Sequence, residues 1–230
     1  MKPYRIRSSL AGILGLLFLT ASSAWAAGDE LKHISGYLDA ETYKKLEAVE
    51  VRDGATSYRW VGPKLNFANY KKILIEPVVL FPKPEPSEQV SQETLDQVTD
   101  YVTLKLVNKI GAVLKLSFDP GPDVIRMQPA ITGVEIKTEG MQARELVPVA
   151  AIFGGLKAIT GTRDQDVLVY FEAKFLDSVT GELIGAAVRR VKGEQLEGTR
   201  DKLELKDLEA SLDQASSDGQ AAFKGMKGVE

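Results

Sequence analysis

Catalysis or metal binding at the level of side chains needs a base, a nucleophile or a ligand set. His33 is the sole histidine of the 230 residues, and cysteine is absent. A Ser-His-Asp relay would therefore have one candidate base. That base sits in a stretch near the N-terminus with no hydrophobic period, where a solvated histidine describes it better. Zinc sites draw mainly on Cys and His, so no zinc ligand set exists. Carboxylates are plentiful, with 32 Asp and Glu, and an all-oxygen calcium or magnesium site stays open. Asp164 and Asp166 are the nearest approach to a cluster, and a solvated loop leading into a strand accounts for them. Asp177 and Glu182 bracket Ser178-Val179-Thr180-Gly181, which is turn chemistry. Gly154-Gly155 and Gly161 match neither a P-loop nor a dinucleotide fingerprint. A glycosidase pair cannot be picked from 32 acids by sequence. No catalytic, metal-binding or cofactor-binding residue is assigned, and no cofactor is implied.

The N-terminus carries a different kind of chemistry. Lys2, Arg5 and Arg7 precede Leu10–Ala21, twelve uncharged residues, and then Ala24 and Ala26 flank Trp25. A basic start, a short apolar run and an A-x-A site mark a secretory signal peptide, with cleavage after Ala26. The alternative is an uncleaved anchor, which needs roughly 20 apolar residues. The uncharged stretch runs from Ser8 to Gly28, but its second half is mostly Ser, Ala and Gly, so the apolar part falls short. Residues 1–26 are thus expected to be a leader and the mature chain periplasmic. Losing Lys2, Arg5 and Arg7 takes the 29 basic residues to 26 against 32 acids, a net charge of −6. With no Lys/Arg run, nucleic-acid binding is not expected. Without cysteine the chain is also expected not to be lipid-anchored. No mature segment is long enough for a transmembrane helix.

One internal stretch stands out. Leu146–Ile159 holds one charge, Lys157, and the pair Gly154-Gly155. Val149, Ile152, Phe153 and Leu156 are too many apolar residues for a single helix face. They are the candidate contact with a partner or ligand, since exposed apolar patches mark such contacts.

The elements that would position these groups are legible from periodicity. Residues 27–66 lack a strong period and are expected to wrap a core built by residues 67–230. Lys71–Leu80 reads as a strand with Ile73, Ile75 and Val79 on one face and Leu74, Val78 and Leu80 on the other. Pro77 interrupts the ladder there and implies a bulge or an edge position. Leu95, Val98, Val102, Leu106 and Ile110 form a stripe at spacings of three and four, predicting a helix that ends near Gly111. Ala112–Phe118 and Val124–Lys137 read as strands, the latter bent near Pro129 and Gly133. Val167–Leu176 and Leu183–Val191 form a hairpin across the Asp177–Glu182 turn. Gly185, Ala186 and Ala187 are small, so something is expected to pack closely on that strand. Leu203–Met226 reads as a last helix whose seam, Leu205, Leu208, Leu212, Ala215, Gly219, Ala222 and Met226, becomes small toward its end. The fold class is α+β: one domain with a mainly antiparallel sheet and helices packed on one face.

Several blocks in order carry a family likeness: Ser35-Gly36-Tyr37-Leu38, Tyr58-Arg59-Trp60-Val61-Gly62-Pro63, Tyr70–Val78, Asp123-Val124-Ile125-Arg126 with Ala130-Ile131-Thr132, and Asp177-Ser178 with Thr180-Gly181-Glu182. Together they resemble the bacterial lipoprotein-like family catalogued as domain of unknown function 3313 (DUF3313). The resemblance implies an envelope location and transfers no catalytic residue. Function is expected to be a non-enzymatic interaction with an envelope partner protein. A binder of a small apolar or lipid-like ligand is the alternative, and a carboxylate-based hydrolase comes third.

Overall fold

A computed structural model describes residues 34–50, 56–84, 92–138, 145–148, 165–192, 205 and 209–227. The leader with Ala24 and Ala26, His33, and the candidate contact residues Val149, Ile152, Phe153 and Leu156 lie outside them. Of the apolar stretch, only Leu146–Pro148 is described, within a strand.

The elements run α1 (Ala40–Lys44), β1 (Glu47–Glu50), β2 (Thr56–Val61), β3 (Lys72–Ile75), β4 (Val79–Leu80), α2 (Gln92–Gly111), β5 (Lys115–Leu116), β6 (Val124–Thr138), β7 (Glu145–Pro148), β8 (Gln165–Asp177), β9 (Leu183–Lys192) and α3 (Glu209–Lys227). One sheet takes the order β1-β2-β9-β8-β6-β3-β5, with β4 and β7 also pairing to β6. The class is α+β, as expected. The sheet is mixed, because β3 runs parallel to β5 and β6, and β4 parallel to β6. The physical reason is α2, which carries the chain back across the sheet between β4 and β5. A parallel neighbour needs such a crossover, whereas the β8–β9 pair needs only a turn.

That turn is built as its residues dictate. Asp177 Oδ1 accepts from the backbone N–H groups of Val179 (3.0 Å) and Thr180 (2.7 Å), and Gly181 takes φ 72°. The Thr180 amide, and then the Tyr70 phenol that donates to Oδ2 at 2.8 Å, hold the Asp177 carboxyl below the usual carboxylate range. Pro77 breaks the expected long strand into β3 and β4, since it cannot donate to a ladder. The expected bend in β6 is a register shift between Ile131 and Gly133. The strand read over Ala112–Phe118 shrinks to Lys115–Leu116.

The α2 stripe faces the sheet, with Leu95, Val98, Val102, Leu106 and Ile110 all buried. They meet Ile73, Ile125, Met127, Ile131, Val169 and Phe175. Each such side chain contributes roughly 1.5–3 kcal/mol on burial. The last helix packs beside α2 and on β9, and buries Leu212 and Phe223. It is pinned to α2 by Asp213, which accepts from Tyr101 and pairs with Lys105, and by Gln220, which donates to the Lys109 carbonyl.

The opposite face of the sheet is covered by residues 34–46. Leu38 and Tyr43 pack on Ala186 and Val188, with Tyr37, Leu46, Tyr58 and Trp60 around them. Asp39 caps the short α1, accepting from Thr42 N at 2.9 Å and Thr42 Oγ1 at 2.6 Å. At the centre, fully buried Glu172 accepts from Ser35 Oγ (2.6 Å) and Tyr43 OH (2.7 Å). Burial, with the nearby carboxylates adding, pushes the Tyr37 and Tyr43 phenols up to about 12. Tyr70 is also pushed to about 12, mainly by burial.

Folded-state values above the ordinary 10.0 mean that the native chain holds protons the unfolded chain releases. That contribution is complete below pH 10 and is lost as pH rises toward 12. Urea midpoints measured through this window are expected to fall steeply, and Tyr43→Phe is expected to flatten the slope. A midpoint that stays level would contradict the burial of these phenols.

Candidate functional site

Between the sheet and the two long helices lies a cavity of about 120 Å³. Its floor is β6, β8 and β9, through Ile125, Met127, Phe171, Ala173 and Ala187. One wall is α2, through Val102, Leu106 and Ile110, and the other is α3, through Ala215, Gly219, Ala222 and Phe223. Val61 also lines it and is 46% exposed, so the cavity reaches the surface beside β2. The space has a local cause. Where α3 passes over the sheet, the lining residues Ala215, Gly219 and Ala222 on the helix and Ala173 and Ala187 on the strands are too small to fill the gap between the larger Phe171, Phe175 and Phe223. A Cβ added to Gly219 would meet nothing within 4 Å.

The strand of small residues behaves less simply than its sequence implies. The Ala187 side chain faces the cavity, while that of Ala186 turns to the opposite face against Leu38 and Tyr43. Gly185 instead backs onto another neighbour, for a Cβ there would stand 3.3 Å from Leu65 Cδ2 and from the Trp60 carbonyl. The expected close packing thus occurs at Gly185, while open space lies at Ala187.

Leaving such a volume empty is costly. At about 24 cal/mol per Å³, 120 Å³ corresponds to about 3 kcal/mol. A bound apolar group would recover much of that, because the dispersion attraction missing across a void returns when atoms occupy it.

The wall is not wholly apolar. Arg189 of β9 lines the cavity, with its side chain 9% exposed. Nη2 lies against Asp218 Oδ2 of α3, whose side chain is 14% exposed. Burial holds the Arg189 guanidinium below its ordinary value, and the Asp218 charge acts in the opposite sense. Sequence reading missed both residues. The signal was thin: Arg189 sits in an otherwise apolar strand, and Asp218 precedes the glycine of the helix seam.

Of the other sequence candidates, the two whose side chains are described, Asp177 and Glu182, are not brought to this place. Asp177 and Glu182 serve the turn at the end of the sheet, where Glu182 pairs with Lys64 at 2.7 Å. Asp164 lies outside the described residues, and of Asp166 only the backbone is described, paired with Lys137. Among the described residues, no group of three or more His, Cys, Asp or Glu could hold a metal ion. Among them also, no helix is long and apolar enough to cross a membrane.

The family profile described as "Protein of unknown function (DUF3313)" matches residues 33–218. The chain belongs to this family. It is also 29% identical to the uncharacterized lipoprotein YdcL of Escherichia coli strain K12, over 92% of this chain and 93% of that protein. The O157:H7 counterpart matches to the same extent. The PelC dodecamer from Paraburkholderia phytofirmans covers 71% of this chain and 96% of its own, at 12% identity and a TM-score of 0.32. A likeness that distant carries no argument about this member of DUF3313.

The YdcL name corrects one expectation. The absence of cysteine implies a chain free of a lipid anchor. A relative matched over nearly the whole chain is named a lipoprotein, which implies lipid anchoring. The cysteine count excludes only one attachment chemistry, within these 230 residues. The expectation of an unanchored periplasmic protein therefore does not stand.

Proposed function

We propose that this DUF3313 member is a cell-envelope protein that binds without catalysing, and that its ligand is a small apolar molecule or group held between the sheet and α3. One observation carries the reading: an apolar cavity of about 120 Å³ kept open by small residues on two facing elements. Its size suits a short chain or a single ring, by comparison with a roughly 150 Å³ cavity that takes up benzene. The leader-like N-terminus and the lipoprotein name of YdcL support an envelope location.

Gly219 gives the direct test. Gly219→Leu places a side chain into open space and removes a helical glycine, which alone contributes about 1 kcal/mol of stability. The variant is expected to melt several degrees higher and to bind hexane at least tenfold more weakly than wild type. Headspace partitioning of hexane against each protein measures the binding directly. Equal hexane binding by both proteins would place the site elsewhere.

A second reading keeps the envelope partner protein. Phe118 is 92% exposed and Val179 is 63% exposed. They sit at the same end of the sheet, where Ser178 Oγ accepts from Gly121 N (3.0 Å) and donates to Gly121 O (2.9 Å). A photo-crosslinker at position 118 that captures no envelope protein would remove this reading.

A further inference from the structure

Arg189 offers the cavity more than apolar contact. Its Nε has no hydrogen-bond partner among the described residues, although the side chain is 9% exposed and lines the space, whereas Nη2 and Asp218 Oδ2, likewise without a hydrogen bond, lie against each other as an ion pair. A buried N–H without an acceptor is costly, and proteins ordinarily answer it with a polar group or an ordered water. Ser216 Oγ, which also lines the cavity, donates to the Leu212 carbonyl at 2.8 Å within its own helix and keeps acceptor lone pairs, but it is not a partner of Nε.

The charge on Arg189, unlike its Nε, is already answered. Asp218 faces it through the Nη2 contact. A carboxylate entering the cavity would bring a second negative charge into apolar surroundings with no cation left to meet it. A neutral oxygen would accept from Nε and add no charge. We propose that the ligand is a small amphiphile, an apolar group of about five carbon atoms ended by a neutral hydroxyl, ester or ketone oxygen that accepts from Arg189 Nε. This rests on the reading of the cavity as a ligand site. The oxygen would take the place of the water that otherwise satisfies a buried donor.

Equilibrium binding of pentan-1-ol, its hydrocarbon isostere hexane, and pentanoate tests it. The proteins are wild type and the Arg189→Met/Asp218→Leu double variant, which removes donor and counter-ion together and leaves no orphan charge. In the double variant the affinity for pentan-1-ol relative to hexane is expected to fall about tenfold, the effect of one hydrogen bond to a charged donor, with hexane binding retained. Wild type is expected to bind pentanoate more weakly than pentan-1-ol. An unchanged alcohol-to-hexane ratio overturns the polar contact and leaves the cavity reading standing. No binding of any probe by wild type overturns both. Should the double variant not fold, the wild-type pair decides, and pentanoate binding as tightly as pentan-1-ol contradicts a neutral head group.

Discussion

Asp218→Asn is expected to lower stability by about 3 kcal/mol, a large effect for one polar substitution on one helix. The substituted amide keeps the shape of the side chain and removes the charge opposite Arg189, which stays buried on β9. Breaking a buried pair from one side costs about 3–5 kcal/mol, because the remaining ion has lost both water and partner. Asp218 retains some exposure, which sets the estimate at the lower end. The same reasoning gives the opposite result when both partners go. Arg189→Met/Asp218→Leu replaces two desolvated charges by apolar groups, and such swaps are often neutral or stabilising. The double variant is expected within about 1 kcal/mol of wild type. Urea unfolding reads both, as a shift in midpoint at unchanged slope. Additive single losses of Arg189→Met and Asp218→Leu would show that the two side chains do not form a coupled pair.

Glu172→Ala carries the other large effect, on the opposite face of the sheet. Glu172 is 1% exposed and accepts from two hydroxyls that come from the segment before β1. Removing the carboxylate leaves Ser35 Oγ and Tyr43 OH, 3.0 Å apart, with only each other, so one of the two donors loses its acceptor, and a void opens behind the side chain. Unmet buried donors cost about 1–3 kcal/mol each, so the loss is expected to reach about 3 kcal/mol. Glu172→Gln keeps one carbonyl acceptor and is expected to lose roughly half of that. The loss should be local first. Residues 34–46 are held to the sheet by this carboxylate and by the packing of Leu38 and Tyr43 on Ala186 and Val188. Trp60 packs against that cluster, and with Trp25 absent from a protein beginning at residue 27 it is the sole tryptophan. A red shift of its emission before global unfolding would mark release of the segment. A variant as stable as wild type, with unchanged emission, would contradict the role assigned to Glu172.

The two faces explain how far the sequence could be read. Periodicity found α2 to within a few residues and named its buried stripe, because five large apolar residues at helical spacing have no other arrangement that buries them together. It found the β8–β9 hairpin, because Asp177, Thr180 and Gly181 dictate the turn. It did not find that β3 and β4 run parallel to β6. Strand direction follows from where α2 returns the chain, which is a tertiary fact. It expected residues 27–66 to wrap the core but did not say which face residues 34–46 would cover, since that segment is anchored by polar contacts to Glu172 and carries little hydrophobic period. The cavity was half legible. Ala186, Ala187, Ala215, Gly219 and Ala222 are visibly small, but smallness on two elements implies close approach as readily as a gap. Only the distance between α3 and β9 decides between them. The apolar stretch after β7, with Val149, Ile152, Phe153 and Leu156, lies outside the described residues.

Binding of apolar matter between β9 and α3 is the central claim, and xenon is the plainest probe of it. Xenon enters dry apolar cavities of this size and excludes hydrogen-bonding explanations. A crystal of the protein pressurised with the gas should show one strong peak bounded by Ala187, Ala215 and Gly219, absent from Gly219→Leu treated in the same way. No peak at that place, or a side chain or chain of ordered waters filling it, would contradict the account.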